Sequence, residues 1–288
     1  MSIEEFWRLT RLEHSIMLSV AVIVGEVIAL ARLPEAYVLL LSLLPPMLVG
    51  AASFAINDYF DLKSDKINKR IDRPLVRGKI KPRTAAVLSL IFFLAGIILS
   101  AFLNWKCFII TLLFSVLAYL YSFRLKDIAL VGNAYVASTM AVPFIYGNLA
   151  VAAEVSPVVV LLGSIAFVSG LAREIMKTVM DVRGDRKGRG SRTLPVSIGV
   201  RSSLMLSSAL YLISILLSFA PYVYIVPYAR NLSYIVPIII ADILFAYIAV
   251  FSIKETSADL MKKSRNVSLA AMFIALLGFL LALLPKWW

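Results

Sequence analysis

The chain has 288 residues, 61% of them hydrophobic and only 16% charged, with a mean hydropathy of +0.89. Long uncharged stretches recur along its whole length, which is the composition of a multi-pass membrane protein. Its single cysteine, Cys107, rules out an internal disulfide, and its single histidine, His14, rules out histidine-ligated zinc and Ser-His-Asp catalysis.

Nine apolar segments are long enough to be membrane-spanning helices, since crossing a hydrocarbon layer of ~30 Å takes about 20 residues. In chain order they are residues 15–32, 36–56, 84–103, 107–123, 128–150, 155–172, 203–228, 232–253 and 267–284. The sequence therefore predicts an all-α membrane protein with nine transmembrane helices, folded as a single domain over residues 1–288.

The Lys and Arg residues divide unevenly between the two sides that nine spans define. Of the 29, all but four lie on the side of the amino terminus, and the four exceptions are Arg32, Lys106, Arg230 and Lys286. By the positive-inside rule, we expect a cell-membrane protein with a cytoplasmic amino terminus and an extracytoplasmic carboxyl terminus. The net charge of +12 then reflects topology and does not indicate a nucleic-acid partner.

Two acidic clusters follow the second and the sixth segments. Asp58, Asp61 and Asp65 are spaced i, i+3 and i+7, and Asp181 and Asp185 are spaced i, i+4, so a helix would place each cluster on one face. Packed carboxylates repel one another unless cations neutralise them, and hard oxygen ligands of this kind suit Mg²⁺, which usually takes one or two carboxylates plus substrate phosphates. Both clusters fall on the predicted cytoplasmic side and together indicate a diphosphate held by magnesium.

The two clusters belong to a longer repeated pattern. Each reads D-x₃-D, then a basic loop, then P-x₃-G and a new apolar helix, with Pro74 in the first copy and Pro195 in the second. The shared order predicts a duplication, approximately 1–126 and 127–253, into two four-helix halves of parallel orientation plus a ninth helix. We expect both acidic clusters to oppose each other across one central cavity.

Three motifs carry a family resemblance. Asn57-Asp58-x-x-Asp61-x₃-Asp65, followed by Asn68 and Arg73-Pro74-Leu75, resembles the first signature of the UbiA superfamily of intramembrane prenyltransferases. Asp181-x₃-Asp185 is similar to the second signature, and Tyr121-Ser122-x-x-Leu125-Lys126 is similar to a third element. The resemblance covers essentially the whole chain, and it implies nine helices around a central cavity and two magnesium ions that bridge the aspartates to an isoprenyl diphosphate.

The resemblance also implies roles for single residues. The implied metal ligands are Asp58, Asp61, Asp65, Asp181 and Asp185, with Asn57 contributing a carbonyl oxygen, and the implied contacts to the diphosphate are Asn57, Arg73 and Lys126. Tyr121 would stabilise a developing carbocation through its ring, and Ser122 would orient the acceptor or a metal-bound water. These two residues join Asp58, Asp61 and Asp181 as the implied catalytic set. The structural alternatives are that the aspartates cap helix ends and that Tyr121 is an interfacial tyrosine.

Residues in the second half of the chain bear on the identity of the acceptor substrate. Arg173 and Lys177 precede Asp181 at successive i+4 steps, so on a helix they would line the same stripe and contact the diphosphate or the phosphate of an acceptor. The alternative is that both cations pair with nearby acids. Arg173-Glu174-Ile175-x-Lys177, Thr193-Leu194-Pro195 and Gly132-Asn133 resemble the branch of archaeal digeranylgeranylglyceryl phosphate synthases, which implies transfer of a geranylgeranyl group to geranylgeranylglyceryl phosphate in ether-lipid synthesis.

Other functions stay open at this stage. Thr178 and Met180 stand where that branch usually has acids, and Arg11-Leu12-Glu13-His14 resembles the start of the quinone branch, so an aromatic acceptor such as 4-hydroxybenzoate or a naphthoate is the alternative to the lipid. A secondary transporter also uses repeats and intramembrane carboxylates, but its sites usually lie near the bilayer midplane. The sequence leaves the oligomeric state and the donor chain length undetermined.

Overall fold

The computed structural model of the protein describes residues 2–67, 69–188, 193–254 and 258–283, with the backbone alone described for 181–188 and 258–260. Apart from a 3₁₀ turn at Leu125–Asp127, the regular elements in these ranges are all α-helices. They are α1 (Ile3–Thr10), α2 (Leu12–Leu30), α3 (Ala36–Ile67), α4 (Pro82–Ala101), α5 (Trp105–Phe123), α6 (Val131–Val151), α7 (Pro157–Gly188), α8 (Leu194–Ile198), α9 (Val200–Ser218), α10 (Ala220–Tyr224), α11 (Leu232–Lys254) and α12 (Ala258–Leu281).

Over the described part of the chain, nine helical segments are long and apolar enough to cross a membrane, with α9 and α10 forming one segment, Val200–Tyr224. The prediction of an all-α protein with nine transmembrane helices is therefore confirmed. The short helix α1 precedes the first span, from which Arg11 separates it by adopting the left-handed backbone region at a φ of 44°.

The predicted ends of the second and sixth spans were wrong. Helix α3 continues past the predicted end at 56 to Ile67, and α7 continues past 172 to Gly188, so each has 32 residues. At 1.5 Å per residue such a helix is about 48 Å long, well beyond the hydrocarbon layer. Hydropathy detects only the apolar part of each helix, whereas the helical backbone continues through the polar residues that carry the acidic motif.

The chain forms two compact units. The first consists mainly of Met1–Asp127 and Pro143–Val155, and the second mainly of Ile128–Val142, Ser156–Arg186 and Ser191–Trp288. The main division follows Asp127, close to the predicted midpoint of the repeat, but the duplication itself stays a prediction.

Close backbone packing and a small apolar cluster hold the first unit together. Helices α2 and α6 approach so closely that a Cβ on Gly25 would collide with the carbonyl of Phe144, and one on Gly147 with the carbonyl of Val22. Near the acidic motif a buried cluster joins α1, α3, α4 and the loop between the last two, and its members are Leu9, Ala55, Leu75, Ile80 and Ala85. This cluster fixes the end of α3 on which the acidic side chains lie.

In the second unit, α7 packs against α9, α11 and α12. The Ser207 hydroxyl of α9 donates to the Ala172 carbonyl at 2.7 Å, and Tyr211 stacks on Phe245 of α11 with ring centroids 5.1 Å apart. Met176 lies in the same buried cluster. The packing holds the stretch of α7 that carries Arg173 and Lys177.

Candidate functional site

The first acidic motif forms a buried stripe at the end of α3. Asp58, Asp61 and Asp65 have relative exposures of 1%, 7% and 4%, as expected for positions i, i+3 and i+7 on one helix face. Carboxylates this deeply buried need cations or hydrogen-bond donors close by, because isolated burial of a charge is very costly. The surrounding cations identify the stripe as the candidate site of this unit.

Two arginines hold one oxygen of Asp58. Its Oδ1 accepts hydrogen bonds from Arg11 Nη2 at 2.8 Å and from Arg73 Nη1, and the Arg11 guanidinium also lies 4.6 Å from the centre of the Phe54 ring. The other oxygen, Oδ2, is buried without a hydrogen-bond partner among the described residues. Asp58 thus has one oxygen held by two arginines and one buried oxygen that makes no hydrogen bond to the described residues.

Asp61 is contacted from its own helix and from the chain segment after α5. Asn57 donates to Asp61 Oδ2 at 3.1 Å, and Lys126 donates to Oδ1 at 2.5 Å. One turn before Lys126, Ser122 is buried, and its hydroxyl has no hydrogen-bond partner in the part of the chain that the structure describes. The structure therefore brings Asn57, Asp61 and Lys126 together.

Helix α1 and the loop after α3 brace this site. Glu5 of α1 pairs with Arg77 of the loop at 2.9 Å, and the loop backbone returns to α3 where the Arg70 amide donates to the Asp65 carbonyl at 2.9 Å. In the exposed part of the loop, the hydrogen bond from Arg70 holds the pKa of Asp72 below its usual range. Arg73, for which the resemblance implies a contact to the diphosphate, binds Asp58 in the structure.

The donor set of α3 fits Mg²⁺, since it offers hard carboxylate oxygens and leaves the buried Asp58 Oδ2 available. Within the described residues, no three Asp, Glu, His or Cys side chains converge closely enough to form a complete metal site by themselves. That is consistent with an ion that takes its remaining ligands from water and substrate phosphates. The predicted ligands Asp181 and Asp185 lie on the helical backbone of α7, but their side chains are outside the described residues, as is Asn68 of the first motif.

In the second unit, the two predicted cations share one acid. Glu174 accepts from Arg173 Nη1 at 2.8 Å and from Lys177 Nζ at 3.0 Å. Arg173 and Glu174 are buried, whereas 43% of the Lys177 side chain is exposed. Arg173 Nε has no partner among the described residues, so this group retains a buried donor despite its pairing with Glu174.

Thr178, which stands where an acid was expected, takes part in a polar contact of its own. Asn133 Nδ2 donates to Thr178 Oγ1 at 3.2 Å, and the Thr178 hydroxyl donates back to the Glu174 carbonyl at 2.9 Å. The contact joins the Gly132-Asn133 element of α6 to the Arg173–Lys177 stretch of α7. The Gly132-Asn133 element is therefore linked to the Arg173–Lys177 element through Thr178, the residue that follows it.

Sequence reasoning missed three residues of these networks. No sequence pattern links Arg11 to Asp58 or Glu5 to a partner, and Glu174 stands within a motif without a role. A pairing between Arg11 and Asp58 spans 47 positions, so no local spacing rule finds it. Glu174 was detectable as a partner of Lys177, because residues three positions apart are neighbours on a helix surface.

Comparisons with known proteins agree on one relationship. Residues 18–277 match the UbiA prenyltransferase family. The chain is 35% identical to a digeranylgeranylglyceryl phosphate synthase of Archaeoglobus fulgidus over 96% of this chain and 94% of that one, and 32% identical to one of Thermococcus gammatolerans over 99% and 100%.

Solved structures share the fold. A structure concerning digeranylgeranylglyceryl phosphate synthase in membranes superposes with a TM-score of 0.81 at 30% identity, covering 98% of both chains. A UbiA homologue from Archaeoglobus fulgidus bound to DMAPP and Mg²⁺ superposes with a TM-score of 0.65 at 20% identity, covering 96% of this chain and 99% of that one.

Proposed function

The chain belongs to the UbiA prenyltransferase family, and on that premise we propose that it moves a geranylgeranyl group from its diphosphate to geranylgeranylglyceryl phosphate with the help of Mg²⁺. It is a multi-pass membrane prenyltransferase, and family membership favours this enzyme class over a secondary transporter. The relatives named above, which match over nearly their full length, support the choice of lipid acceptor.

The observation that carries the proposal is the buried carboxylate stripe of α3 with its cations. Cleavage of an allylic diphosphate requires stabilisation of the charge that develops on the leaving group, and no protein nucleophile is needed. Asp58, Asp61 and Asp65 would hold Mg²⁺, which supplies that stabilisation when bound. Arg73 and Lys126 lie against Asp58 and Asp61, where each can also donate to a diphosphate oxygen.

Other residues of the first unit would position the reacting atoms. The bond between the allylic carbon and the diphosphate oxygen breaks, a new ether bond forms to a glycerol hydroxyl, and the hydroxyl proton is released. The buried Ser122 hydroxyl, which has no partner among the described residues, is available to accept or donate a hydrogen bond to the acceptor. Tyr121 would present its ring to the developing positive charge.

Residues of the second unit would bind the acceptor phosphate. Arg173 retains a buried Nε donor, and Lys177 is partly exposed beside Glu174. An arginine and a lysine in this arrangement suit a phosphate better than the single carboxylate of an aromatic acid. Asp181 and Asp185 enter the proposal as metal ligands from the sequence alone.

The asymmetry of Lys and Arg supports an orientation for the enzyme. We place the amino terminus and both acidic motifs in the cytoplasm and the carboxyl terminus outside the cell membrane. The proposed diphosphate and glycerol phosphate substrates would then reach the site from the cytoplasmic leaflet.

The proposal predicts that Asp61→Ala lowers the rate of Mg²⁺-dependent diphosphate release by at least about 100-fold, because Lys126 and Asn57 lose their shared partner and the metal loses a ligand. The matched control is Asp72→Ala, which removes an exposed aspartate whose side chain is 58% accessible and should change the rate less than about threefold. EDTA should abolish release from geranylgeranyl diphosphate, and added Mg²⁺ should restore it. Comparable rates for the two variants would contradict a catalytic role of the α3 stripe.

A further inference from the structure

Helices α3 and α4 leave a groove on the outer side of the first unit. The helices are tied together where Ser89 Oγ donates to the Ala52 carbonyl at 2.9 Å, and again at Gly96, where a Cβ would lie 3.1 Å from Val49 Cγ2. Between Ser89 and the start of α4 a groove of about 400 Å³ is present, lined by Tyr59, Pro82, Arg83, Ala86, Val87 and Leu90. The buried Ala85 belongs instead to the cluster that packs against α1 and α3, so the groove is separate from that core.

Three cations at or shortly before the start of α4 have no acidic partner among the described residues, and one of them, Arg83, lines the groove. Lys79, Lys81 and Arg83 are exposed, and within the described residues none of the three forms an ion pair, whereas the neighbouring Arg70, Arg73 and Arg77 all do. Unpaired cations at the end of a membrane helix lie at the level of the lipid headgroups. The mouth of the groove therefore complements an anionic group.

The other residues that line the groove are mostly apolar, and an exposed apolar face of α4 continues beyond them. Val87 and Leu90 are 48% and 58% exposed, and the same helix face continues through Leu94 and Ile98, which are 51% and 58% exposed. From Arg83 to Ile98 the helix rises about 22 Å, at 1.5 Å per residue, which exceeds half of a hydrocarbon layer of ~30 Å. This face is long enough to contact one lipid chain along its whole length.

We propose that the α3–α4 groove is a binding site for an anionic membrane phospholipid. The phosphate of the lipid binds Arg83 and Lys81, and one of its chains lies along Val87 and Leu90. A zwitterionic lipid matches the apolar face but brings no net charge to the cations, and a soluble phosphate matches the cations but leaves the apolar face uncovered. The site is independent of the reaction proposed above, although Tyr59, which lines it, stands next to Asp58 on α3.

Native mass spectrometry of the full-length protein tests this site by counting lipids retained from detergent. We expect the wild type to retain one phosphatidylglycerol in preference to phosphatidylcholine of the same chain length. Arg83→Gln should weaken phosphatidylglycerol binding about fivefold, the effect of one basic residue near a membrane surface. The matched control is Arg201→Gln, since Arg201 is likewise exposed at the second position of a membrane helix, α9, and it should not change the retention.

A second variant tests the apolar part without changing charge. Leu90→Trp fills the groove, so phosphatidylglycerol retention should fall as it does in Arg83→Gln, while the exposed position tolerates the larger side chain. Equal retention of the two lipids by the wild type would overturn the proposal. So would unchanged phosphatidylglycerol binding in either variant, or an equal loss in Arg201→Gln.

Discussion

The buried carboxylate of Asp58 is held by two arginines that come from different segments of the chain. Arg11 and Arg73 both donate to Oδ1, so the orientation of the carboxylate is fixed from two sides while Oδ2 keeps no described partner. Arg11 comes from the break between α1 and α2, and Arg73 comes from the loop after α3. Two distant segments are thereby fastened to the helix that carries the proposed metal ligands.

This arrangement predicts a difference between two arginines of the amino-terminal segment. Arg11→Gln removes a hydrogen bond to a buried carboxylate and should lower the free energy of unfolding by about 1–3 kcal/mol. Arg8→Gln removes only an exposed pair with Glu4, which is worth about 0–1 kcal/mol. Thermal unfolding of the two purified variants in the same detergent measures the difference, and equal losses would mean that Arg11 does not stabilise Asp58.

At the scale of helices, the crossing of α2 and α6 depends on the absence of side chains at two positions, Gly25 and Gly147. A Cβ at Gly25 would overlap the Phe144 backbone, which has no freedom to move away as a side chain does. At Gly50 the nearest atom to a new Cβ is Leu18 Cδ1 at 2.9 Å, the end of a flexible side chain. Replacement of glycine by alanine is therefore expected to have different consequences at Gly25 and at Gly50.

We predict that Gly25→Ala destabilises the protein by at least about 2 kcal/mol, because overpacking forces the two helices apart. Gly50→Ala should be within about 1 kcal/mol of the wild type, since Leu18 can shift and alanine is the better helix former. The unfolding midpoints of both variants in one detergent test this. If Gly25→Ala were as stable as Gly50→Ala, the close approach of α2 and α6 would be refuted.

The number of membrane-spanning helices was predictable from the sequence, and the errors in the predicted helix ends have a common cause. Nine apolar runs predict nine spans, but the same signal ends α3 at 56 although the helix continues to Ile67. The last turns of α3 are polar, and their stability comes from Arg11, Arg73 and Lys126, which approach from other segments. The hydropathy of a stretch of sequence contains no information about side chains that approach it from other segments.

The candidate site shows the same limit. Motif spacing placed Asp58, Asp61 and Asp65 on one helix face, and the structure has all three buried on α3. The motif also pointed to Lys126, which contacts Asp61. No motif linked Arg11 to Asp58, and the shared partner of Arg173 and Lys177 required the geometry of α7. Local periodicity was sufficient to predict which residues share one face of a helix. It could not predict contacts between residues of different segments.

At the scale of the whole molecule, the two compact units carry different parts of the proposed chemistry. The first holds the α3 carboxylates with Arg73 and Lys126, which suit a metal-bound diphosphate. The second holds Arg173 and Lys177, which suit a further phosphate. The identity of the acceptor is the central claim of the proposed function.

A competition between acceptors tests that claim most directly. Purified protein with Mg²⁺ and radiolabelled geranylgeranyl diphosphate is offered geranylgeranylglyceryl phosphate and 4-hydroxybenzoate at equal concentration, and the labelled products are separated. We predict that nearly all of the transferred label appears in the ether-linked glycerol phosphate product. Label found in prenylated 4-hydroxybenzoate, with the glycerol phosphate unused, would contradict the account.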